Sequence, residues 1–106
     1  MKELFALVGY LFFATAVMAQ TVWIDVRTEA EYNAEHIDGA VRISYQEIGS
    51  KIESLFPNKE QEIMLYCRSG RRSGIALGIL KDMGYVNAKN AGGLNEAKKV
   101  YSAQKK

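Results

Sequence analysis

Cys67 is the only cysteine among 106 residues, and it is followed at once by Arg68-Ser69-Gly70-Arg71-Arg72-Ser73. A thiol beside three arginines reads as a nucleophile. The thiolate is the reactive form of cysteine, and positive charge or a helix N-terminus lowers its pKa from about 8.5 to about 3.5–7.5. Gly70 permits positive φ in such a loop, so successive backbone N–H groups can converge on one anion. A lone cysteine has a plainer role as a small buried hydrophobe closing a strand, but the cationic loop favours the nucleophile. One cysteine and one histidine, His36, are too few soft ligands for a metal site. No cofactor is implied.

Such a nucleophile needs a frame. Ile63-Met64-Leu65-Tyr66 is a continuous apolar run, the mark of a central strand buried on both faces, and it puts Cys67 at that strand's carboxyl end. Ser73 is expected to cap a helix running to Met83, with Ala76, Ile79, Leu80 and Met83 on one side and Gly84 as its left-handed terminator. Upstream, residues 21–26 have strand length and β-branched composition, and Thr28 with Glu31 forms a capping box opening a short helix. Gly39 breaks the chain before a second strand over residues 40–43. Ser44 and Glu47 read as another capping box, whose helix carries Ile48, Ile52, Leu55 and Phe56 as an apolar stripe before Pro57 ends it. Residues 86–91 read as the last strand, Gly92-Gly93 as a turn and residues 94–103 as a terminal helix.

Strands alternating with helices predict an α/β domain, a central mainly parallel β-sheet flanked by helices. In open sheets of this kind ligands bind beyond the carboxyl ends of the strands, where Cys67 falls.

The first nineteen residues differ from the rest. Lys2 precedes an apolar run from Leu4 to Ala14, and Val17 and Ala19 are small enough for a peptidase site before Gln20. We read residues 1–19 as a signal peptide cleaved after Ala19, because the run falls short of the ~20 residues that span a bilayer. A membrane role is expected only if the leader stays uncleaved. Residues 20–106 then make one domain, expected to be a monomer. A net charge of +2 is too small to argue for nucleic acid, and the cluster of Arg68, Arg71 and Arg72 implies a small anion instead. In an oxidising compartment a single cysteine is a free thiol or an intermolecular link.

The loop Cys67-Arg68-Ser69-Gly70-Arg71-Arg72 stands with Ile24-Asp25-Val26-Arg27, Tyr32, His36-Ile37-Asp38-Gly39-Ala40 and Asn90-Ala91-Gly92-Gly93-Leu94. In this order and spacing the segments resemble the rhodanese sulfurtransferases, over nearly all of the chain after the leader. The resemblance implies a rhodanese domain over residues 20–106 and, with the leader, a periplasmic location. It also implies that Cys67 takes a sulfane sulfur from thiosulfate or a similar donor, becomes a persulfide, and passes the sulfur to cyanide or a thiol. Arg68, Ser69, Gly70, Arg71, Arg72 and Ser73 would hold the substrate. Asp25 and Arg27 would support the loop, although a structural ion pair is the favoured role for them. His36 reads as structural, contacting the turn at Asp38-Gly39, and Gly92 and Gly93 as turn residues permitting close backbone approach.

Arg72 gives Cys-x4-Arg, one residue shorter than the loop of fold-related cysteine phosphatases, so sulfur is favoured over a phosphate or arsenate group. Glu35 and Asp38 stand where the family commonly has glycine and proline, and the inactive domain of two-domain members is missing. The rival functions are a non-catalytic sulfur-carrier or binding module, and a small phosphatase or arsenate reductase.

Overall fold

The computed structural model describes residues 20–105, so the leader expected over residues 1–19 lies outside the described residues. Val22–Asp25 forms β1, Glu29–Ala34 α1, Val41–Arg42 β2 and Ile48–Leu55 α2. Ile63–Cys67 forms β3, Arg71–Asp82 α3, Ala88–Gly93 β4 and Leu94–Gln104 α4. The strands lie in the order β2-β1-β3-β4, and every pairing is parallel. This is the expected α/β sheet. The direction of strand addition reverses between β1 and β3, which opens a crevice at their carboxyl ends, and Cys67 is the last residue of β3.

All five residues of β3 are buried, and their alternation divides the core in two. Ile63, Leu65 and Cys67 pack with Ile48 and Ile52 of α2 and with Ala76 and Leu80 of α3. Met64 and Tyr66 join Trp23, Ile37 and Ala97 on the other face, where α4 lies and Tyr101 meets Trp23 edge-on at 5.5 Å. No helix among the described residues is long and apolar enough to cross a membrane.

Local chemistry accounts for the element boundaries, including three that differ from expectation, and for one exchange of buried residues. Thr28 and Glu31 do form the capping box of α1. Ser44 instead organises a turn, accepting from the Gln46 N–H at 3.2 Å, and α2 begins only at Ile48 with no side-chain cap. Leu55 is 51% exposed, and Phe56, about 100° further round the helix, packs on the core in its place. The helix α3 starts two residues before Ser73, because Gly70 at φ +97° already turns the chain into it. Last, β4 runs later than the pattern of residues 86–91: Val86 is exposed, and the strand continues through Gly92 and Gly93 because Gly93 pairs with Cys67.

Candidate active site

The strand β3 ends and α3 begins within four residues, so the backbone between them curls around the sulfur. The Gly70 N–H donates to Cys67 Sγ at 2.9 Å, and the Ser73 hydroxyl lies 3.4 Å from it. Ser73 is wholly buried in the first turn of α3, and its hydroxyl is also 2.7 Å from Asn90 Oδ1. One hydroxyl proton therefore faces two acceptors, a carbonyl oxygen and the sulfur. Asn90 fixes this corner from β4: its Nδ2 donates to the Gly70 carbonyl at 3.0 Å, and its Oδ1 accepts from the Gly92 N–H at 2.9 Å. Nothing in the spacing of residues 67–73 points to Asn90. Only its place in the segment 90–94 of the resemblance does.

Burial pushes the Cys67 thiol up, but the Ser73 hydroxyl and the backbone N–H groups of Ser73, Ser69 and Gly70 outweigh it and bring the thiol down to about 7. The sulfur itself is buried and free of any disulfide. Neutral dipoles carry most of this stabilisation, whereas the sequence points to the arginines.

The three arginines separate in space. Arg68 and Arg71 are exposed. Arg72 turns across to α1, where its Nη1 and Nη2 donate to the two carboxylate oxygens of Glu31 at 2.9 and 3.0 Å. Arg72, with the Thr28 cap, holds the Glu31 carboxyl down at about 2. At longer range the thiolate and the Arg72 guanidinium attract one another. Glu31 thus serves twice, as the acid of the α1 capping box and as the anchor of the last loop residue.

Asp25 and Arg27 lie at the end of β1, on the face opposite Cys67. Asp25 Oδ2 accepts from Arg27 Nη2 at 2.6 Å, Oδ1 accepts from Nε at 2.9 Å, and Oδ1 also takes the Arg27 backbone N–H. Both side chains are buried, and Arg27 Nη2 donates further to the Glu35 carbonyl at 2.6 Å. Among the described residues neither side chain bonds to the loop 67–73, so the pair is structural in its contacts. His36 is exposed and stacks on Tyr32 at 3.7 Å, with Nδ1 2.7 Å from the Tyr32 carbonyl. Its partner is α1 rather than the turn at Asp38-Gly39.

The close approach expected of the glycines is present. A Cβ on Gly93 would run into the Arg68 carbonyl oxygen, and one on Gly70 would stand 3.5 Å from the Gly92 Cα. The end of β4 and the cysteine loop are therefore in backbone contact.

A parallel sheet whose central strand ends in a cysteine, a six-residue loop and a helix N-terminus is an architecture of the rhodanese type, and the chain belongs to the Rhodanese-like domain family, whose model matches residues 14–99. Over 86 residues it is 42% identical to the thiosulfate sulfurtransferase PspE of Escherichia coli K12, covering 81% of this chain and 83% of that protein. Among solved structures it is similar to a rhodanese with anions from E. coli, at 42% identity and a TM-score of 0.70, covering 73% of this chain and 91% of that one. A human single-domain sulfurtransferase is 26% identical with a TM-score of 0.65, covering 93% and 92%.

Proposed function

We propose that this protein is a thiosulfate sulfurtransferase in which Cys67 carries the transferred sulfur as a persulfide. The observation that supports this most directly is the sulfur held by the Gly70 N–H at 2.9 Å at the start of α3, with its pKa brought down to about 7. At neutral pH about half of such a thiol is thiolate. It attacks the outer sulfur of thiosulfate, the S–S bond of the donor breaks, and sulfite leaves with the bonding electron pair. The N–H groups of Ser69, Gly70 and Ser73 then face an anionic persulfide in place of the thiolate. An acceptor thiolate or cyanide attacks the outer sulfur, and the Cys67 thiolate returns. No general base is needed, because the nucleophile is already ionised.

Arg68 and Arg71 recruit the anionic donor from solvent. Arg72 shapes the loop through Glu31. The loop contains everything the transfer requires within one chain, which fits action as a monomer. The leader pattern of residues 1–19 supports export to the periplasm with cleavage after Ala19.

The test is mass spectrometry after exposure to thiosulfate: Cys67 gains one sulfur atom, and cyanide removes it. Turnover by Cys67→Ala equal to wild type sinks this reading. Transfer to a partner protein but never to a small acceptor would identify a carrier instead of an enzyme, and hydrolysis of an aryl phosphate would identify a phosphatase.

A further inference from the structure

Asn90 reaches the cysteine loop from an irregular stretch of β4. Leu65 pairs with Asn90 and Cys67 with Gly93, so β4 advances three residues while β3 advances two. In this bulge Gly92 takes φ +92°, and its N–H turns back onto the Asn90 side chain. Backbone groups fix which way round the amide sits, because the Gly92 N–H can only donate and the Gly70 carbonyl can only accept. Oδ1 therefore faces the Gly92 N–H at 2.9 Å, and Nδ2 faces the Gly70 carbonyl at 3.0 Å. That leaves Oδ1 as the atom 2.7 Å from the Ser73 hydroxyl, whose other neighbour is Cys67 Sγ at 3.4 Å. A serine hydroxyl has one proton to give, and the same oxygen can accept. A carbonyl oxygen outcompetes a neutral thiol for that proton, whereas an anionic sulfur outcompetes the carbonyl.

We propose that Asn90 is a positioning residue for the transfer: its side-chain carbonyl holds the Ser73 hydroxyl proton whenever Sγ is uncharged and yields it when Sγ carries the charge. The inference rests on the sulfurtransferase reading and adds to it the residue that governs the sulfur's hydroxyl partner. In the thiol, S–H donates to Ser73 Oγ and the hydroxyl donates to Asn90 Oδ1, a chain that favours the protonated form. In the thiolate the hydroxyl turns to Sγ. In the persulfide the charge sits on the outer sulfur, and the hydroxyl returns to Asn90. When the acceptor removes that sulfur, the S–S bond breaks, its electron pair stays on Sγ, and the hydroxyl turns back without giving up its proton. Asn90 thus keeps the nucleophile basic, and Ser73 steadies it only while it is charged.

The test is the pH midpoint of alkylation by iodoacetamide, which reacts with the thiolate and, Cys67 being the only cysteine, reads this sulfur alone. Asn90→Ala removes the carbonyl from an exposed place on an edge strand, and the Gly70 carbonyl keeps the Gly74 N–H at 3.0 Å. The midpoint should fall about 0.5–1 pH unit below that of wild type, because the hydroxyl is freed for the sulfur. Well above both midpoints, loading with thiosulfate should be about two- to threefold slower, since nucleophilicity falls with basicity. In a Ser73→Ala background Asn90→Ala should not lower the midpoint. The charged groups around the sulfur are common to all variants: Arg68, Arg71 and Arg72, Glu31 bound to Arg72, and Glu96 at the Gly93 N–H. Asp25, Arg27 and Lys89 lie on the other face of the sheet. Asn90→Leu, which keeps the branching without the carbonyl, carries the same expectation and replaces the alanine variant should that one not fold. A midpoint that stays or rises makes Asn90 a mere brace for Gly70 and overturns the inference, as does an equal fall with and without Ser73. Failure of wild type to load sulfur overturns the sulfurtransferase reading, while the alkylation midpoints still decide where the hydroxyl proton lies.

Discussion

Two polar groups that carry negative charge lie at the carboxyl ends of neighbouring strands and are held in opposite ways. Asp25, which pairs in register with Tyr66, is gripped by a guanidinium through three contacts and a backbone N–H. Cys67, one residue beyond Tyr66, meets only neutral donors, namely backbone N–H groups and a serine hydroxyl. An ion pair of that geometry fixes a charge in place and leaves it nothing else to do. Dipoles stabilise the sulfur just enough. A thiol near pH 7 is half ionised and still basic, and intrinsic nucleophilicity falls as the pKa falls. A guanidinium clasping the sulfur would have made a quieter anion.

The contrast can be broken first at the sulfur. Cys67→Ser should lower sulfur transfer by about a thousandfold or more while leaving the urea midpoint near that of wild type. Retained transfer would move the chemistry elsewhere. The converse change is Asp25→Ala, which strands the Arg27 charge in the core and should cost about 3–5 kcal/mol of stability in urea unfolding. Pairing it with Arg27→Met should recover a large part of that loss, since two apolar side chains can replace a buried ion pair. If Asp25→Ala instead left stability intact and abolished transfer, the division between a structural and a chemical anion would be wrong.

Ser73→Ala sharpens the contrast. Transfer by wild type should rise with pH through about 7 as the thiolate forms. Without the hydroxyl that rise should move to higher pH, giving about tenfold slower transfer at pH 6 and near wild-type rates at pH 9. An unmoved profile would shift the credit to the arginines. The smallest effect is expected of Arg71→Gln: about a threefold higher KM for thiosulfate, diminished by added salt, with the pH midpoint unchanged.

The strand that delivers Cys67 was legible because Ile63 to Tyr66 is apolar at every position, which only a central strand explains. The capping box at Thr28 was legible because both partners lie within four residues. Ser73 was legible as polar and adjacent but not in its role, since Gly70 moves the helix start and turns a cap into a buried donor beside the sulfur. The Arg72 to Glu31 pair spans 41 residues, and no local pattern announces it. The glycines of β4 have poor strand propensity, so their place in the sheet follows from pairing with β3 and not from their own preference.

Gly93 leaves no room for a side chain against the Arg68 carbonyl. That contact acts as a gauge on ring size. A cysteine loop one residue longer, as a tetrahedral oxyanion needs, would have to swing residue 68 outward or push back the start of α4, where the Gly93 N–H is already held by Glu96 Oε1 at 2.9 Å. Retooling this enzyme for phosphoryl chemistry by insertion would therefore begin with redesigning a helix outside the loop.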